Sequence, residues 1–66
     1  MDRQVGHKLR EFRQLSGMSL SQLAEKVGLD TASLEKCEAG ARHVSAIELW
    51  DICGVFDVSP GAFFED

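Results

Sequence analysis

The sequence contains no apolar run approaching the roughly 20 residues of a membrane span. Its first fourteen residues, MDRQVGHKLREFRQ, are charged where a secretory signal needs an apolar segment. Neither a membrane protein nor an exported one is expected, and the default compartment is the cytoplasm. Cysteine is scarce: Cys37 and Cys53 stand 16 positions apart with no CxxC pairing. Both fall among apolar residues at helical spacing, as small core side chains in a reducing compartment do. With His7 and His43 they form no common zinc spacing, so no metal or other cofactor is expected. Basic residues are missing from the C-terminal part. All seven Lys and Arg lie at or before Arg42, against six acids over that span, and Glu48, Asp51, Asp57, Glu65 and Asp66 follow unopposed. Only the N-terminal part could therefore face a polyanion, although the net charge is -4.

Catalytic patterns are missing too. There is no nucleophile-base pair, no phosphate-cradling glycine loop and no metal set, and the acids are spread over solvent faces, so an enzyme is not expected. Sixty-six residues, 44% of them hydrophobic, make one small domain with an economical core. They leave no room for a ligand-binding domain, and no small-molecule ligand is evident.

Helical punctuation fills the chain, and no strand period is sustained. Helix one is expected over about residues 2–16, with Val5, Leu9, Phe12 and Leu15 on one side and Gly17 as its stop. Ser19 and Gln22 form a capping box for a second helix over 20–27, whose inward residues are Leu23, Ala24 and Val27 and whose stop is Gly28. Asp30 caps a third over 31–39, ending before Gly40. Ser45 and Glu48 form a second capping box for a fourth over 45–56, with Leu49, Ile52, Cys53 and Phe56 buried and Gly54 a weak point. Ser59-Pro60 opens a fifth over 60–64. The expected fold is all-α: five short helices in one domain spanning residues 1–66.

A helix, a short Gly-Leu-Asp turn and a second helix have the spacing of a helix-turn-helix. With LREFR, LAEKVGLD, a third helix ending in EAG, and IELWDICGVFDVS, the chain resembles the Cro/lambda-repressor class of regulators over about residues 5–64. The resemblance implies a lambda-repressor-like domain that binds double-stranded DNA, with a palindromic operator and a repressor's role. It also implies DNA contacts. Ser19, Leu20 and Ser21 would abut the backbone, and Thr31, Ala32 and Ser33 would read base edges with Lys36 a turn further on. Arg42 and His43 would clamp phosphates, with Arg10 a further backbone contact. Arg13 and Glu38 match an ion pair common in the class. Two departures predict weak non-specific affinity. Leu20 replaces a frequent glutamine, and the loop reads Ala41-Arg42-His43-Val44 where a basic residue and proline are common.

On a helical wheel, Leu34 and Cys37 lie opposite Ala32, Glu35 and Lys36, with Thr31 and Ser33 flanking. Thr31 and Ser33 can hydrogen-bond to bases or phosphates, Ala32 can touch a thymine methyl, and Lys36 can reach guanine or phosphate. Glu35 is the anomaly: it either accepts from cytosine N4 or excludes sequences by repulsion. Lys8 and Lys26 read as solvated. Trp50, Phe63 and Phe64 offer either closure of the core or the face of a homodimer. The acidic balance, Leu20 and Glu35 keep a second function open: a protein-binding module of the same fold, antitoxin-like or anti-repressor-like.

Overall fold

The computed structural model describes residues 2–64. Four α-helices follow one another, α1 (Asp2–Leu15), α2 (Leu20–Val27), α3 (Thr31–Glu38) and α4 (Ala46–Phe56), and a single 3₁₀ turn, Pro60–Phe63, closes the described chain. No strand occurs among the described residues.

Local chemistry explains the boundaries. The Ser19 hydroxyl accepts from the Gln22 N–H at 3.1 Å, and the Gln22 side chain accepts from the Ser19 N–H at 2.8 Å. Two otherwise unpaired donors at the start of α2 are thereby satisfied. The same reciprocal pair joins Ser45 and Glu48 at 3.1 and 3.0 Å at the start of α4. At α3 the Asp30 carboxylate accepts from the Ser33 N–H at 2.6 Å. Gly28 ends α2 in the left-handed region at φ 73°, its N–H on the Ala24 carbonyl. Asp57, not a glycine, does the same for α4 at φ 56°. Gly54, within α4, touches nothing where a side chain would stand.

The core contains Val5, Leu9, Leu23, Ala24, Val27, Leu34, Cys37, Ile52, Cys53 and Phe63, with Phe12, Leu49 and Phe56 packed at its margin. Phe12 forms the aromatic centre, its ring 5.8 Å from Phe56 and 5.2 Å from Phe63, the latter edge-to-face.

Three expectations need correction. The fifth helix is one 3₁₀ turn: four residues with proline first and glycine second do not sustain an α-helix. Ser59 precedes it without a side-chain cap. Leu15 is 79% exposed rather than buried, because at 100° per residue it has turned about 80° away from Val5 by the last turn of α1. Phe63 is wholly buried and so does not belong to an outer face, whereas Phe64 is 43% exposed and Trp50 71%.

Candidate nucleic-acid interface

The third helix is built to be held from one side and left open on the other. Leu34 and Cys37 are completely buried, while Thr31, Ala32, Glu35 and Lys36 are exposed and Ser33 is half-buried. Hydrogen bonding from Ser33, by its side chain and its backbone N–H, holds the Asp30 carboxyl below the usual carboxylate range. The charges of Arg42 and Lys36 add to the effect. Asp30 thus stays ionised at the positive end of the helix dipole, and Ser33 is committed in part to that cap.

Glu38 closes the same helix. Arg13 of α1 donates from Nε to Glu38 Oε2 at 2.6 Å and from Nη2 to Oε1 at 3.1 Å, and its Nη1 donates to the Met18 carbonyl at 3.1 Å. The guanidinium therefore joins α1, the turn before α2 and the end of α3. The two side chains are 16% and 7% exposed, so the Glu38 charge is compensated locally. Replacing Arg13 by alanine leaves that carboxylate half of a broken pair. A loss of about 2 kcal/mol is expected in urea unfolding, less than for a fully buried pair because water still reaches Arg13. The doubly substituted Arg13→Ala/Glu38→Ala protein should lose less than the two single losses added. Additive losses would mean that the two charges are not coupled.

Arg42 lies in the loop between α3 and α4 and also has a carboxylate partner. Its Nη1 and Nη2 donate to Glu48 Oε1 and Oε2 at 3.0 and 2.9 Å, and Nη1 lies 3.2 Å from the Cys37 sulfur and 3.4 Å from the His43 carbonyl. Hydrogen bonding to Glu48 is the main reason that its guanidinium pKa is raised, and the same bond is the main reason that the Glu48 carboxyl is lowered to about 2.

A shallow cleft of about 360 Å³ runs between the end of α1, the start of α2 and the end of α3, lined by Arg10, Arg13, Leu20, Glu35, Glu38 and Ala39. It brings Leu20, Arg10 and Glu35 beside one another. Glu35 has no side-chain hydrogen bond or ion pair among the described residues, and neither have Arg10 or Lys36. Ser19 and Ser21 are exposed at the start of α2, and His43 is exposed in the loop. The four histidines and cysteines do not gather: no group suited to a metal ion occurs among the described residues, and His7 instead faces Glu11 at 3.7 Å on the outside of α1.

Two features add to the expected site. The capping box accounts for Glu48 within the sequence, and Arg42, six positions upstream, is its second partner. Gly6 lies where α1 crosses the end of α3, and an alanine Cβ there would overlap the Cys37 carbonyl oxygen. An isolated glycine inside an amphipathic helix was the signal for such an approach.

This architecture, two capped helices across a tight turn with an open face on the second, matches the helix-turn-helix family of Cro/C1 type over residues 9–63. The chain belongs to that family, whose members are transcription regulators of the Cro/lambda-repressor type rather than an enzyme class. Over all 66 residues it is 35% identical to an uncharacterized HTH-type transcriptional regulator, y4aM, of Sinorhizobium fredii, and it covers 46% of that protein. The chain spans about half the length of such curated relatives. Among solved structures it is similar to the restriction-modification controller protein C.AhdI of Aeromonas hydrophila, with a TM-score of 0.88, 32% identity and 96% of each chain covered. It is similar as well to the N-terminal DNA binding domain of SinR from Bacillus subtilis, with a TM-score of 0.86, 29% identity, and coverage of 97% of this chain and 94% of the other. No helix among the described residues is long and apolar enough to cross a membrane.

Proposed function

We propose that this chain binds a specific DNA sequence as a homodimer and represses transcription by occupying its site, with α3 inserted in the major groove. One observation carries the reading: α3 presents Thr31, Ala32, Glu35 and Lys36 to solvent while its opposite side is fully buried and its end is tied down by Arg13. A recognition helix needs that rigidity, since base contacts discriminate only when the side chains are held in register. Thr31, Ala32, Ser33, Glu35 and Lys36 read bases, with Glu35 accepting from cytosine N4 and Lys36 donating to guanine. Arg10, Ser19, Ser21, Arg42 and His43 meet phosphates. The DNA-binding domain named in the SinR structure supports this use of the fold.

The dimer reading rests on α4. Ile47 and Trp50 are three residues apart, hence on one side of the helix, and they are 76% and 71% exposed, with Phe64 a further exposed aromatic ring. A two-fold pair of such chains sets its recognition helices about 34 Å apart on a palindromic site.

Selection from a random duplex pool, followed by salt titration on the winning sequence, tests the whole reading. A two-fold symmetric site is expected, with log affinity falling against log salt by about 0.9 for each phosphate that a cation neutralises. Lys36→Ala should relax preference at one position by about 1–3 kcal/mol. Absence of binding to any duplex at low salt would defeat the proposal and leave the protein-binding module. One observation favours that second reading: the single loop arginine is already neutralised by Glu48.

A further inference from the structure

Arginine recognises a carboxylate and a phosphate by the same geometry, two parallel N–H···O bonds from one planar fork. Arg42 makes that pair of bonds to Glu48, at 3.0 and 2.9 Å. Both groups retain access to water, at 34% and 20% of their side-chain surface. The carboxylate cannot drift toward Arg42 by chance, because its Oε1 also accepts from the Ser45 N–H as half of the α4 cap. The guanidinium belongs to the loop that follows α3, and its charge, with that of Lys36, helps to lower the carboxyl of Asp30, the cap of α3. It also touches the sulfur of Cys37, on the buried side of α3.

We propose that Glu48 is a positioning residue that stands in for a DNA phosphate, holding Arg42 in the free protein until a phosphate displaces it. The assignment deepens the DNA-binding reading and rests on it. When DNA docks, the two Arg42 bonds pass from the Glu48 carboxylate to phosphate oxygens, while Glu48 keeps its bond to the Ser45 N–H. A duplex that meets α3 out of register brings no phosphate to the loop, so Arg42 stays with Glu48 and contributes nothing. Non-specific binding is thereby penalised more than specific binding, which is discrimination through a withheld cation.

Glu48→Gln is the discriminating change, because glutamine serves the same position of a capping box but removes the charge that holds Arg42. Fluorescence anisotropy on a random-sequence 20-bp duplex, at salt concentrations from about 50 to 200 mM, is the readout. Glu48→Gln should tighten this binding about 5-fold and steepen the log-log salt slope by about 0.9 per subunit. In an Arg42→Gln background the same change should alter binding less than about 2-fold and leave the slope alone. Arg42→Lys supplies a check that keeps total charge constant. Lysine cannot make the bidentate bond, so it should bind the random duplex more tightly than the native chain does.

Equal tightening by Glu48→Gln in both backgrounds would reduce the effect to one lost negative charge and overturn the assignment alone. Weaker binding by both Glu48→Gln and Arg42→Lys would show that the pair is a bracket that DNA needs intact, and would overturn it as well. Failure of every variant and of the native chain to bind any duplex would remove the DNA-binding reading, and this assignment with it.

Discussion

Gly6→Ala is expected to destabilise the domain by about 3 kcal/mol or more, although alanine is the better helix former by up to about 1 kcal/mol. Gly6 is buried in the middle of α1, against the last turn of α3. A Cβ on Gly6 would overlap the carbonyl oxygen of Cys37 and stand 2.9 Å from that of Glu38. Both neighbours are backbone, so no rotamer change relieves the clash and the two helices must separate. Separation strains the 2.6 Å contact between Arg13 and Glu38, which spans the same pair of helices. Small domains have few kcal/mol to lose, so a large unfolded fraction should be visible by circular dichroism without denaturant. Native-like stability in Gly6→Ala would show that α1 and α3 are less closely apposed than described.

Phe63→Ala should cost about 3–5 kcal/mol in equilibrium unfolding. Phe63 is fully buried, and its ring meets Phe12 edge-to-face at 5.2 Å. Truncation removes the largest fully buried side chain of the core and leaves Phe12 with only Phe56 as an aromatic neighbour among the described residues. The adjacent Phe64 is a control with the same chemistry: at 43% exposure its removal should cost well under half as much. Equal losses at the two positions would mean that the 3₁₀ turn is not anchored by Phe63. The exposed aromatic surface belongs to Trp50 and Phe64, while Phe63 serves the interior.

Most helix ends were legible in the sequence because caps are local. Ser19 with Gln22, Ser45 with Glu48, Asp30 and Gly28 each act within four residues, a span the sequence displays directly. Legibility fell where local patterns compete with space. Leu15 continues an apolar spacing but has rotated off the buried face by the end of α1, and so it stays in water. Ser59-Pro60 announces a helix start, yet Ser59 makes no side-chain cap and Pro60-Gly61 support no more than a 3₁₀ turn. Of two adjacent phenylalanines, position along the turn sends one inward and the other out.

The candidate site divides in the same way. The periodicity of α3 separates Leu34 and Cys37 from Ala32, Glu35 and Lys36 without any coordinates, since a single helix fixes which residues share a face. Charge counting alone leaves the acidic balance as an objection to a DNA-facing surface. The tertiary structure places Glu38 on Arg13 and Glu48 on Arg42. Of the two acids in α3, only Glu35 remains without a partner among the described residues. The same structure occupies the one cation of the α3–α4 loop, which a list of basic residues counts as available.

The sequence by itself determined the four α-helices, the caps at Ser19, Asp30 and Ser45 and the helix-turn-helix spacing, because each follows from interactions within about one turn of chain. Only the tertiary structure decided that Glu48 holds Arg42, which of Phe63 and Phe64 is core, and why position 6 must be glycine. Those outcomes depend on groups up to 51 residues apart, such as Phe12 and Phe63. No local pattern records which of several allowed partners the packed helices bring within reach.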